Sequence, residues 1–180
     1  MKIGVHLALW ARQWNDDVIP YAETAADLGF DGVELSLLGM NPDRIRAIRL
    51  AVERRGLEIT CTTGLGAQAD ISSLDPACRA AGLDCLTQSV HTAAALGSRL
   101  LTGVLYAPWN VRVQADRERR WAHAVGGLRQ VARVAEREGV TLGLEAINRF
   151  ETDLAIWRQI EPDTTEAARQ GLAFLRSRTS

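Results

Sequence analysis

Short apolar runs alternate with longer stretches whose apolar residues recur every three or four positions. Ile3 to Trp10 predicts the first strand. A helix from about Asp17 to Leu28 follows, with Val18, Tyr21, Ala22, Ala25 and Leu28 on one face, and Gly29 stands at its left-handed cap. Val33 to Leu38 is the second strand. Asn41 caps the next helix with Pro42 at its first position; it carries Ile45, Ile48, Leu50 and Val52 and stops at Gly56. Leu57 to Thr63 is the third strand, ended by Gly64-Leu65-Gly66. Ser73 or Asp75 caps a long helix reaching about Leu96, closed by Gly97. Leu100 to Tyr106 is the fourth strand, and Pro108-Trp109-Asn110 opens a loop. The helix from about Asp116 to Glu138 shows Trp121, Val125, Leu128, Ala132 and Ala135 on its predicted inner face. Leu142 to Ile147 is the fifth strand, and a last helix is predicted from about Thr165 to Arg176.

Five strand–helix units in succession imply an α/β fold with parallel strands and right-handed crossovers. Two architectures use this order. A doubly wound sheet fits the length, whereas an eight-fold barrel typically takes ~250 residues. Polar and aromatic residues gather after the strands, at Trp10, Gly64, Trp109 and from Glu145 to Glu151. In both architectures ligands sit beyond the carboxyl ends of the strands.

Composition narrows the function. The 180 residues carry 21 Lys plus Arg and 22 Asp plus Glu, a formal net charge of −1, with a sequence pI near 6.3. This gives no global basic field for nucleic acid or an anionic membrane. No apolar run approaches the ~20 residues of a membrane span. Cys61, Cys78 and Cys85 are odd in number and lack zinc spacing. Together with the lack of a leader-like opening, they suit a cytoplasmic protein. Arg117-Glu118-Arg119-Arg120 reads as a solvated helix start. His91 and His123 read as surface or packing residues, and the cysteines as packing residues.

The most informative stretch is Leu144-Glu145-Ala146-Ile147-Asn148-Arg149-Phe150-Glu151. A carboxylate inside an apolar strand is costly unless it is paired, hydrogen-bonded or on a metal. Glu145 is therefore either a salt-bridged core residue or a metal ligand or acid–base group at a strand end. Together with Gly4-Val5-His6-Leu7-Ala8-Leu9-Trp10, Trp14 and Leu28-Gly29-Phe30-Asp31-Gly32-Val33-Glu34-Leu35-Ser36, this stretch resembles the ketose 3-epimerases. These are the D-tagatose and D-allulose (psicose) 3-epimerases of the xylose-isomerase-like TIM-barrel superfamily.

The resemblance implies a (β/α)8 barrel, of which residues 1–180 form a single partial domain of about five βα units, the N-terminal five-eighths. It implies a divalent metal, Mn2+ or else Co2+ or Mg2+, and C3 epimerisation of a free ketose through a cis-enediolate. Glu145 matches a metal ligand that also moves a proton. Glu151 matches a substrate-binding glutamate, and His6, Trp14, Thr62, Gly64 and Trp109 match positions lining the sugar pocket. The family's Asp, His and second Glu from strands six, seven and eight have no counterpart here, and Ala155 to Asp163 is an extra segment. Homo-oligomers, dimers or tetramers, are implied, and neither nucleic acid nor membrane is expected as a partner. Two alternatives stand beside this reading: a non-catalytic half-barrel remnant or assembly module, and another sugar or hydroxypyruvate isomerase of the same superfamily.

Overall fold

Five parallel strands lie in the order β1-β2-β3-β4-β5, so each pairs with its predecessor in sequence. The computed structural model describes residues 2–111, 113, 116–147, 152 and 154. The strands are β1 (Gly4–His6), β2 (Gly32–Ser36), β3 (Glu58–Leu65), β4 (Leu100–Pro108) and β5 (Thr141–Leu144). The connecting helices are α1 (Ile19–Asp27), α2 (Ile45–Arg54), α3 (Pro76–Ala95) and α4 (Arg117–Glu138). A doubly wound sheet reverses its strand order at a switch point. No reversal occurs among these strands, which form the sequential arc of a barrel. The predicted helix from Thr165 to Arg176 and the Ala155 to Asp163 segment lie outside the described residues.

The two faces of the arc differ. Val33, Leu35, Cys61 and Leu101 point toward the helices and are buried with Ile48, Val52, Leu86 and Val90. Alternation along each strand places His6, Glu34, Thr60, Thr62 and Thr102 on the other, inner face. Those residues are only partly buried. The core is thus the layer between sheet and helices, and the inner face is polar.

Local chemistry moves several predicted boundaries. The first strand ends at His6 rather than Trp10, because the His6 ring nitrogen Nδ1 accepts from the Ala8 N–H at 3.0 Å and starts a short 3-10 turn over Leu7–Leu9. The second helix opens as a 3-10 turn over Pro42–Arg44, with Asn41 accepting from the Asp43 N–H at 2.9 Å. Asp75 caps α3 as predicted, by accepting from the Ala77 N–H. The fifth strand stops at Leu144, short of Ile147.

The inner face of α4 includes the predicted Ala135, with Leu128 partly buried against the core, but is otherwise displaced by one position from its predicted phase. Arg120, Ala124, Gly127, Val131 and Ala135 are buried, whereas Trp121 is exposed. Arg120 and Gly127 carry no apolar signal, so the apolar pattern selects the neighbouring row. Arg120 is consequently not part of a solvated helix start; it is 1% exposed. Leu28 and Leu50 are exposed rather than buried on their helices.

One close approach shapes the sheet. Gly103 in β4 has φ +125°, and a Cβ there would lie 1.9 Å from the Thr63 carbonyl oxygen. Beyond this pair the β3–β4 register shifts between Gly64 and Leu65. The carboxyl end of β3 therefore diverges from a regular ladder where the candidate site begins. Among the described residues no helix is long and apolar enough to cross a membrane.

Candidate active site

Glu145 is the first residue beyond β5, and its N–H donates to the Gly103 carbonyl at 2.9 Å. Two residues later the Ile147 N–H donates to Tyr106 Oη at 3.3 Å. Ile147 and Leu154 pack with Val104, Tyr106 and Ala107 from β4. The backbone around Glu145 is thus tied to β4 on both sides. Glu145 keeps the strand parity of Gly143, whose position faces the Thr102 side chain on the inner face. Its side chain is exposed, so the expectation of a carboxylate inside an apolar strand is corrected. β5 lies at the edge of the five-stranded sheet and none of its residues is buried, Leu144 itself being 46% exposed, so the desolvation cost that singled Glu145 out does not arise.

The other anticipated residues sit around the same arc. His6 ends β1 on the inner face. Thr62 lies in register between Ser36 and Thr102, and Gly64 occupies the last regular position before the register shift. Trp109 follows β4 directly and is 58% exposed. Trp14 lies in the loop between β1 and α1, and is also exposed. That loop is organised by Asp16, which accepts from the Arg12 N–H at 2.7 Å, the Gln13 N–H at 3.3 Å and the Tyr21 hydroxyl at 3.3 Å. These donors hold the Asp16 carboxyl below its ordinary range, the Arg12 N–H most strongly. Trp14 and Asp16 line a hollow of about 130 Å3 against Ser36 and Asn41. Glu151, Asn148 and Arg149 lie outside the described residues.

The structure adds Glu34, which carried no functional assignment in the sequence. It lies opposite His6 in the β1–β2 register. His6 Nε2 is 3.7 Å from its Oε1, and the Thr102 hydroxyl donates to its Oε2 at 3.4 Å. The available signal was its parity: Val33 and Leu35 are core-facing, so a charged residue between them must face the opposite side. Glu34 and His6 also line the larger hollow, about 310 Å3, which opens toward the amino ends of the strands beside Lys2, Asp31 and Glu58. That hollow does not include Trp14, Thr62, Gly64, Trp109 or Glu145. The anticipated site residues instead follow the carboxyl ends.

A divalent metal is the cofactor that the resemblance implies. Hard cations such as Mg2+ and Mn2+ take about six ligands, mostly oxygens. Among the described residues no three His, Cys, Asp or Glu side chains come together to hold an ion. Glu145 alone is a described candidate ligand, so the described residues do not fit a metal centre by themselves. Burial pushes the Cys61 thiol up to about 12, which keeps it protonated in the core.

Comparison with known proteins agrees with this geometry. A family model for a xylose isomerase-like TIM barrel matches residues 22–177. The chain is 31% identical to an L-ribulose 3-epimerase of Mesorhizobium japonicum over 175 residues, covering 97% of this chain and 56% of that protein. It is 33% identical to a D-psicose 3-epimerase of Ruminiclostridium cellulolyticum over 159 residues, covering 86% and 54% respectively. A crystal structure of D-psicose 3-epimerase with D-tagatose from Clostridium cellulolyticum H10 matches with a TM-score of 0.80 at 32% identity, over 86% of this chain and 55% of that one. The chain spans about half the length of the curated relatives it matches. The sequential strand arc and a match running through most of the chain lead to one conclusion: this protein belongs to the xylose isomerase-like TIM barrel family.

Proposed function

We propose that this chain acts in the epimerisation of free ketoses at C3, as an isomerase of the ketose 3-epimerase type. The observation that carries the reading is Glu145, a carboxylate at the carboxyl end of β5 with its backbone anchored to Gly103. Relatives that are named L-ribulose and D-psicose 3-epimerases support it. In this reading Glu145 takes the C3 proton of the ketose. The electron pair left behind delocalises from C3 onto the C2 carbonyl oxygen as an enediolate, and a proton returned to C3 on the opposite face by a second acid gives the epimer. Trp14 and Trp109 offer exposed aromatic faces to the apolar faces of the sugar. His6, Thr62, Gly64 and Glu151 complete the proposed sugar contacts. Glu145 is the proposed metal ligand, with Mn2+, Co2+ or Mg2+ as the proposed ion. Residues 1–180 form one partial-barrel domain in this reading, and its three free cysteines suit a cytoplasmic setting.

A second reading, a non-catalytic half-barrel module, draws on one observation: no three potential metal ligands converge among the described residues. The two readings separate in one assay. Purified chain is incubated with D-fructose or D-tagatose and Mn2+, and the C3 epimer is quantified beside Glu145→Gln. Turnover that the substitution abolishes is the expected result. No turnover of either ketose, with the chain shown to be folded, overturns the epimerase reading in favour of the module.

A further inference from the structure

The loop of residues 66–75, which leaves β3 at the site, is held from behind by a buried ion pair. Arg120, in the first turn of α4, places Nη2 2.8 Å from Ser72 Oγ and 3.6 Å from Asp70 Oδ2. The Ser72 N–H and hydroxyl donate to Asp70 Oδ1 at 2.7 and 2.6 Å. Arg120, Asp70 and Ser72 are all buried. Charges withdrawn from water are retained at a cost, and a hydrophobic replacement is often as stable. Such a pair is better suited to fixing one geometry than to adding stability.

Independent packing features point to the same segment. Ile71 is wedged between α3 and α4, where two glycines make room. A Cβ at Gly82 would lie 2.7 Å from the Ile71 nitrogen, and one at Gly127 would lie 3.0 Å from Ile71 Cβ. On the next turn of α4, His123 Nδ1 is 3.0 Å from the Ser73 carbonyl oxygen. The clamp joins two connections that carry proposed sugar contacts. Gly64 leads into the 66–75 loop, and Trp109 leads into the segment that ends at the α4 cap, Asp116.

We propose that Arg120 is a positioning residue, whose buried pairing with Asp70 and Ser72 locks the β3–α3 loop to α4 and thereby sets the ketose-binding geometry at Gly64 and Trp109. This rests on the ketose reading above. Arg120 touches no reacting atom; it acts through the loop. Removing Arg120 alone would strand the Asp70 carboxylate in the interior and risk unfolding. The decisive variant is therefore the D70N/R120M double substitution, which removes both charges together, with R120K beside it.

Three measurements on the full chain decide the matter: thermal melting, amide hydrogen exchange over residues 66–75, and D-tagatose or D-fructose titration with kcat and KM determined separately. The double variant is expected to melt cooperatively, exchange about tenfold faster in the loop, and bind ketose about tenfold more weakly with kcat little changed. R120K, which keeps the charge but loses the planar fork, should fall between it and the parent. Unchanged loop exchange in a folded double variant overturns the clamp. Faster exchange with unaltered ketose affinity, or a fall in kcat with KM unmoved, overturns the positioning role while leaving the ketose reading intact. A parent chain that binds neither ketose overturns the ketose reading, and the positioning role with it.

Discussion

Gly103→Ala should be among the most damaging single-methyl additions in this chain. The new Cβ would sit 1.9 Å from the Thr63 carbonyl oxygen, far inside van der Waals contact. The obstacle is backbone in the β3–β4 ladder, flanked by the Thr62–Thr102 pair, so no side chain can rotate away. Residue 103 also has φ +125°, a conformation that costs a non-glycine residue about 1–3 kcal/mol. Forced overpacking adds about 1–3 kcal/mol. The combined loss, about 4 kcal/mol, is a large share of the ~5–15 kcal/mol that holds a typical domain folded. Urea denaturation followed by circular dichroism measures it directly. Gly126→Ala supplies the internal comparison. Gly126 lies within α4, and a Cβ there meets nothing within 4 Å. It should gain about 0.5–1 kcal/mol through helix propensity. If G103A costs less than about 1 kcal/mol, the reasoning from its close approach to Thr63 is wrong.

Two other predictions concern titrating groups. Asp16 has a depressed carboxyl, so its support for the β1–α1 loop is present above the ordinary carboxylate range and is lost as pH falls through the folded value. Amide protection factors over residues 11–18, corrected for the intrinsic pH dependence of exchange, should therefore fall on acidification, and Asp16→Asn should abolish that fall; an acid-induced loss of protection surviving in the variant would refute the assignment. Cys61 is fully buried and its thiol is pushed up to about 12, so at pH 8 it should resist iodoacetamide until urea unfolds the chain. Rapid alkylation of Cys61 in the native state, read by peptide mass spectrometry, would contradict the burial.

The repeated strand–helix order was legible because both periodicities are strong and glycines mark the helix ends. Gly29, Gly56, Gly97 and Gly139 all adopt positive φ near those ends. What periodicity could not decide was the choice between a doubly wound sheet and a barrel arc, since strand order is a tertiary property. The resemblance supplied that distinction. The phase of α4 was misread for a physical reason: its inner row contains a charged residue and a glycine. Hydropathy scores Arg120 as solvent-facing, yet its partner Asp70 is remote in sequence and buried with it. Glu145 was expected inside an apolar strand, and the structure places it beyond the end of β5. It stands out as a carboxylate among apolar neighbours, while the edge strand it follows buries none of its own residues and leaves it exposed. Glu34 went unassigned because its partners His6 and Thr102 become neighbours only when the strands align.

The uninterrupted strand order also bears on how the chain is built in time. Every ladder joins a strand to the one made immediately before it, and the wider gaps, such as Leu65 to Pro108 and Leu101 to Leu142, each enclose a single helix. Loop closure is therefore repeated in modest steps, none of which waits for a distant segment. As the polypeptide emerges from the ribosome, each new strand meets a template already in place. Assembly of this arc can proceed in the direction of synthesis, one βα unit at a time.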